Sequence, residues 1–441
     1  MIQKLKLKYQ KNKIWMYPLK YILVAFILLL ITVAIDTRYY KFHKYIPHIF
    51  LTSISLAQTI LGALVGSLLS ITTFTFSTTM VVLTMYSSDF SPRVVENFLN
   101  EKITLKVLGM FMGGFFYSVS SLLFMRKSLG SDQVVSASIG VFYAILCMIY
   151  FAIFVNKVSS SIQASNLITK LHEEADDSIK NAKKYHEKSK AIYSYDVKDY
   201  KYEYPILSDS SGYLELVAYD AIFNDIKEGD YTLIIHPNNG DFVVRSETIA
   251  TLYSKDEEID ENIIEKMNNH FTLQSTRDIS YDYLFAIEKI VDVALRAISP
   301  GINDPNTARE CINILGMLTS ELSEINGNYS EKSDEESKSK LIYPSFNFDH
   351  DLFLTFYQII IYGKEDLSVV LAVYKALENT MRNATFENRM HVKKFLEYLD
   401  DKSSDNFSNK TDREVIEMYK EKVLEAHQVQ NKEKIEEMKE E

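Results

Sequence analysis

The sequence predicts a membrane α-helical protein with four transmembrane helices, joined to a cytoplasmic α+β domain with a small β-rich part and a helical C-terminal part. Three observations predict this class. Four apolar runs fall within the first 156 residues, and about 20 apolar residues are enough to cross a bilayer. Over the whole chain the mean hydropathy is near zero, so those runs are a minority of its length. After Asn156 the pattern changes to amphipathic helices and alternating strands.

The expected domains follow from those changes in pattern. Residues 1–156 form a transmembrane domain with spans at about 18–35, 49–82, 103–124 and 134–155. Residues 157–210 form a helical stalk and linker, 211–255 a small β-rich subdomain, 256–400 a helical subdomain, and 401–441 a charged tail.

The first span follows a basic head carrying Lys4, Lys6, Lys8, Lys11, Lys13 and Lys20. No small-residue cleavage site follows it, so it reads as an uncleaved helix rather than a signal peptide. Asp36 to Tyr40 reads as an interfacial belt. The loops after the first and third spans share only Arg38, Lys41, Lys44, Arg126 and Lys127. Positive charge therefore places both termini in the cytoplasm of a bacterial cell, and the chain in its plasma membrane.

The second span is the unusual one. No acidic or basic residue occurs between Ile49 and Tyr86, and small residues recur every seven positions: Thr59, Gly66 and Thr73, then Ala63, Ser70, Ser77 and Thr84, with Gly62 beside them. This spacing draws a narrow stripe down one helix. In lipid, small side chains that permit close backbone approach hold helices together, so the stripe reads as a packing seam. The alternative is that its hydroxyls line a wet path. The span ends at Ser91-Pro92-Arg93, with Ser as N-cap and Pro at the first helical position of a short amphipathic surface helix that continues through Val95, Phe98 and Leu99. This break is a candidate hinge. The third span (Gly109, Gly113, Gly114) and the fourth (Ala137, Gly140) carry small residues that read as packing against the second.

In the soluble part, a helix with Leu167, Ile168, Leu171, Ala175 and Ile179 on one face leads to strands at Tyr213–Tyr219, Tyr231–His236, Phe242–Arg245 and Thr248–Tyr253, with Pro237 to Asp241 as a turn. A compact barrel is expected there. Glu261 to Gln274 reads as one helix, and Tyr281 to Ile298 as another stopped by Pro300-Gly301. Asp304-Pro305 then caps a helix to about Ile325. Asn326 to Lys340 reads as a polar loop, followed by a strand at Ile342–Phe348, helices near His350–Tyr362, Glu365–Asn379 and Thr385–Asp400 and a solvated charged tail.

The candidate ligand elbow is Arg296, Asn303 and Asp304, where a cation and a helix N-terminus could converge on an anion. The competing reading is that Arg296 and Asp304 only satisfy the elbow's backbone. Asp349-His350-Asp351 reads as helix capping rather than as metal ligands. With Cys147 and Cys311 as the two cysteines, neither a disulfide framework nor a thiol metal cluster is expected. No paired-His motif, phosphate-cradling loop, nucleophile elbow or dinucleotide fingerprint is present. The chain reads as non-enzymatic, with no catalytic residue, metal or cofactor. A formal charge of -11 argues against a nucleic-acid surface.

Two blocks carry a resemblance. Phe76-Ser77 through Val81-Val82-Leu83, Ser87 to Asp89, Phe90-Ser91-Pro92-Arg93, Phe98, Leu108-Gly109 and Phe111 to Tyr117 make the first. Val291 through Pro305, with Thr307-Ala308 after it, makes the second. Together they resemble the bacterial predicted membrane proteins grouped as the domain of unknown function DUF2254, over about Leu19 to Asp400. The lead-in to the second block departs from that pattern, with Phe285-Ala286 and Glu288 where a Gly and an Arg are expected. The resemblance implies location and architecture. The residues themselves lead to the expectation of a self-associating, channel-like or transport assembly in the lipid bilayer, conducting or binding a small ion. The alternative is a membrane-anchored sensor or scaffold that binds an anionic ligand or a protein partner.

Overall fold

A computed structural model describes residues 13–37, 46–94, 102–125, 133–161, 163–257, 259 and 261–440. The expected surface helix beyond Val94, the aromatic belt beyond Thr37 and the loop charges of the first and third connections lie outside them. The chain divides into two compact units, Met1–Asn166 and Leu167–Glu441.

In the first unit, four described helices are long and apolar enough to cross a membrane: Met16–Asp36, Ile54–Phe90, Ile103–Phe124 and Ser136–Ser161. They correspond to α1 (Lys13–Asp36), α2 (Ile54–Met85, prolonged by one π-helical turn at Tyr86–Phe90), α3 (Lys102–Phe124) and α4 (Ser136–Ser161). The second span starts later than expected, because His48–Phe50 form a 3-10 turn and β1 (Thr52–Ser53) pairs with β2 (Gln133–Val134), which leaves Ser53 to cap α2 through Leu56 N.

α3 is the central helix, with half of its apolar window buried against about a fifth for each of the others. The reason lies in its glycines. A Cβ at Gly109 would meet Tyr21 and Pro18 at 2.9 and 3.0 Å, and one at Gly113 would meet the Tyr143 hydroxyl at 2.6 Å. Gly109 and Gly113 therefore seat α1 and α4, not α2 as the small-residue pattern suggested. Gly114 touches Tyr143 and Leu68, and Gly140 meets Leu61, so contacts with α2 are made there. Buried Tyr117 stacks on Tyr143 with ring planes 3° apart, and its hydroxyl donates to Ser136 O at 3.0 Å. At the same end of the bundle, the Asp36 carboxylate at the close of α1 accepts from Val135 N at 2.7 Å and from the Ser136 hydroxyl, which caps α4 from another helix.

The second unit combines two sheets with a helical layer. The six-stranded sheet has the order β3 (Lys190–Ile192), β10 (Tyr329–Lys332), β11 (Lys340–Pro344), β6 (Tyr231–Ile235), β8 (Thr248–Ser254), β4 (Tyr202–Leu207); only β11 and β6 run parallel. The three-stranded sheet is β7 (Phe242–Val243), β5 (Gly212–Val217) and β9 (Phe271–Gln274). Helix α6 (Tyr219–Ile226) contributes Ile222, Phe223 and Ile226 to the core shared with Leu214, Val243, Leu233 and Leu252.

These sheets correct several expectations. Strands β3 and β4 lie inside the segment expected to be a helical stalk, of which α5 (Ala164–His186) is the helical part. Residues 261–274 are not one helix: α7 (Glu261–Met267) gives way to β9, where Phe271 buries its ring beside β5. The polar stretch from Asn326 contains β10, because Ser330 is buried between two neighbouring strands. The compact barrel is replaced by open sheets whose strands span residues 190–344.

The helical layer comprises α8 (Tyr283–Ala297), α9 (Pro305–Leu322), α10 (Phe348–Gly363), α11 (Leu367–Asn383), α12 (Phe386–Ser403) and α13 (Lys410–Glu440). α13 occupies the expected solvated tail, yet Ile416, Val423 and Ala426 are buried and Lys420 donates to Asp400 of α12 at 2.7 Å. An amphipathic stripe sparse enough to read as solvated still suffices to dock that helix on α11.

Candidate functional site

The small-residue stripe of α2 faces outward. Thr59, Gly62, Ala63, Gly66, Ser70, Thr73, Ser77 and Thr84 are all exposed, whereas Ile54, Ala57, Leu61, Leu68, Thr75, Thr79 and Val82 form the buried face. Among the described residues, nothing lies within 4 Å of a Cβ built at Gly62 or Gly66. Within one chain, then, the stripe is not the seam between α2 and its neighbours. Thr59, Ser70, Thr73 and Thr84 donate to the carbonyls of Ser55, Gly66, Leu69 and Met80 at 2.9–3.0 Å, so these hydroxyls are satisfied on their own helix.

At the end of α2, Ser91 takes up an extended conformation and its hydroxyl accepts from Arg93 N at 3.2 Å, with Pro92–Val94 in a 3-10 turn. The Tyr86 hydroxyl donates to Ser161 O at 2.5 Å, tying this break to the end of α4.

The elbow between α8 and α9 is tight. Asp304 N donates to Ala297 O at 2.8 Å, and Asn303 sits at φ 52, in the left-handed region that Asn tolerates. The Asp304 carboxylate accepts from Thr307 N at 3.1 Å and from its hydroxyl at 2.6 Å; these bonds hold its carboxyl below the usual carboxylate range. Arg296 and Asn303 are exposed. Asp304 is thus engaged as a cap, and the elbow presents a surface rather than an enclosed pocket.

A cavity of about 150 Å³ lies elsewhere in this unit, and none of the residues singled out at the elbow lines it. It is built from segments far apart in the chain: the end of α5 (His186), the β6–β7 turn (Asn238 to Asp241), the start of α8 (Arg277 to Leu284) and the start of α10 (Ser345 to Asp351). Its buried floor includes Asp351, Asp282, Tyr219, Tyr343 and Ser345, while Asn238, Asp241, Asn347 and His350 lie on the exposed rim.

Asp282 organises one wall. It caps α8 through Phe285 N at 2.9 Å and receives a two-pronged guanidinium contact from Arg277, at 2.7 and 3.0 Å. Arg277 also donates to Glu288 at 2.8 Å and lies 4.7 Å from the Phe285 ring centroid. Burial lifts the Asp282 carboxyl, against the pull of Arg277. Gly240 at φ +95 brings its backbone so close that a Cβ would meet the Asp282 carboxylate at 2.2 Å, and only glycine fits there.

The Tyr283–Asp351 pair also lines the cavity, with the Tyr283 hydroxyl 2.7 Å from Asp351 Oδ2. Burial pushes the Asp351 carboxyl up to about 7, opposed by the bond from Tyr283. The His186 ring sits 4.7 Å from that of Phe346, and Nδ1 engages the hydroxyls of Ser330 and Ser345; burial pushes it down to about 4. Asp349, by contrast, turns away to Lys394 and His391, and the cap of α10 is Asn347. No group of three or more His, Cys, Asp or Glu side chains that could hold a metal occurs among the described residues.

The family model of the predicted membrane proteins DUF2254 matches residues 11–379. The chain belongs to this family. Among curated proteins, uncharacterized proteins of Mycobacterium tuberculosis and Mycobacterium bovis are 24% identical over 332 residues, which cover 71% of this chain. The aligned region spans 61% of the length of those relatives. No solved structure matches. In this DUF2254 chain the second motif block, Val291 to Ala308, forms the last turns of α8, the elbow and the cap of α9, whereas the cavity draws on residues outside both blocks. Sequence reading saw two of the cavity's pieces, the Asn238–Asp241 turn and the His350-Asp351 pair, without joining them.

Proposed function

We propose that this DUF2254 protein is an oligomeric, channel-like or transport assembly in which copies of α2 meet through their outward stripe, and the Leu167–Glu441 unit, on the cytoplasmic side of a bacterial plasma membrane, gates or assembles the oligomer. One observation carries the reading: the residues best suited to close helix contact in lipid are exposed in the single chain, with open space at Gly62 and Gly66. Against lipid these residues make fewer contacts than Leu would; against a second copy they allow the backbones to approach. A uniform apolar coat would serve a passive anchor equally well, and α2 does not have one.

The experiment is substitution of Ser70, Thr73 and Ser77 by Leu in the full chain, followed by sizing in detergent and by ion flux from loaded vesicles. The reading expects a smaller oligomer and lost flux. Unchanged size and flux would overturn it. A second reading, a membrane-anchored sensor acting through its soluble unit, is favoured by the polar cavity; it expects the triple variant to keep full function.

A further inference from the structure

The cavity beside Asp351 has walls of mixed chemistry, and its charge is unbalanced. Arg277 is its one guanidinium, and that charge is already answered twice, by Asp282 and by Glu288. Asp241 on the rim and Asp351 on the floor remain as further carboxyl groups. The histidines do not redress this: His186 stays neutral because burial disfavours its charge, and His350 lies on the exposed rim. Two helix N-termini open nearby, but both are capped, α8 by Asp282 and α10 by Asn347.

The hydrogen-bond inventory points the same way. Asp351 is 1% exposed, and among the described residues its side chain receives one bond, from Tyr283 to Oδ2, which leaves Oδ1 as an acceptor. The buried Oδ1 of Asn239 has no hydrogen-bond partner among the described residues. Buried acceptors normally have donors, so a ligand here has to bring N–H groups. Four tyrosines, Tyr219, Tyr281, Tyr283 and Tyr343, are among the lining residues, and aromatic rings attract cations. A volume of about 150 Å³ far exceeds a bare ion and matches roughly a benzene-sized molecule.

We propose that this cavity binds a small organic ammonium ion, with Asp351 as its counter-ion and Asn239 Oδ1 as a second acceptor. Asp241 at the rim would attract the cation, and the tyrosine walls would enclose its alkyl part. Because the ammonium favours the ionised form of Asp351, affinity rises with pH and binding releases a proton. The other charged or titratable groups lining the cavity are Asp241, Asp282, Arg277, His186 and His350; burial raises the carboxyls of Asp241 and Asp282, so their ionisation with rising pH acts in the same direction, and it disfavours charge on His186. This inference stands whether or not α2 forms a pore.

The test is calorimetric titration of the full chain in detergent with n-butylammonium, compared with 1-butanol and butyrate. The expected result is binding of the ammonium at least about tenfold tighter than of either analogue, stronger at pH 8 than at pH 6. Asp351→Asn and Asn239→Ala should each weaken it about tenfold, with thermal melting confirming the fold. Tighter binding of butyrate, no heat from butylammonium on folded protein, or wild-type affinity in Asn239→Ala would each overturn the proposal. Should Asp351→Asn fail to fold, Asn239→Ala alone decides.

Discussion

The Tyr283 hydroxyl donates to Asp351 Oδ2 across 2.7 Å, joining the first turn of α8 to the first turn of α10. Asp351 is almost wholly buried, so this bond places a titratable carboxyl where water cannot solvate its charge. Two helices of the Leu167–Glu441 unit are coupled through a group poised near neutrality.

A pH dependence of stability follows. Burial raises the folded carboxyl of Asp351 from 3.8 to about 7, so between those values the folded state holds a proton that the unfolded state has released. Its contribution is complete below pH 3.8 and is lost as pH rises through about 7. Urea unfolding of wild type and Asp351→Asn at pH 4.5 and pH 8 checks this: the wild type should lose more stability over that interval than the variant. Parallel losses would refute it.

His186 acts in the opposite direction. Burial lowers its folded value from 6.5 to about 4, so the unfolded chain takes up a proton before the native one does. Its contribution is present above pH 6.5 and lost as pH falls toward 4. His186→Gln, which keeps an acceptor toward Ser330 and Ser345, should flatten the decline between pH 6.5 and 4.5 in the same unfolding assay.

Arg277→Gln should destabilise the Leu167–Glu441 unit by about 3 kcal/mol, because it leaves the Asp282 carboxylate, whose side chain is 5% exposed, without its guanidinium. Thermal melting of the full chain measures the loss. Arg277→Lys should recover only part of it, since an ammonium cannot reproduce the paired contact.

Gly316→Ala should cost about 1–2 kcal/mol even though alanine favours helices. A Cβ there would meet the Ala376 Cβ at 2.7 Å and Cα at 2.9 Å, where α9 and α11 press together. Gly62→Ala on α2, with nothing within 4 Å, should leave the melting of a dissociated chain unchanged and be felt only in self-association.

The sequence showed the four long apolar helices because bilayer-length apolar runs are a property of composition. It also showed the cap at Asp304, which depends on a neighbour three residues away. It hid β3, whose partner β10 lies far along the chain and whose three residues carry no periodicity of their own. The cavity was hidden for the same reason: His186, Asn239, Arg277 and Asp351 meet only after the sheets and helices have packed. The Asp349-His350-Asp351 run looked like capping, yet Asn347 is the cap, and the two acids face different partners because residues two apart lie on nearly opposite sides of a helix. The stripe on α2 was visible as a pattern, but only the packed bundle reveals that it points outward.

The most direct test of the account is unitary conductance of the purified full chain in a planar bilayer, with tension and salt gradient varied. The account predicts discrete currents from wild type and none from the Ser70, Thr73, Ser77 to Leu variant at equal incorporation. A silent bilayer from folded, oligomeric wild type, or currents that survive the triple substitution, would contradict it.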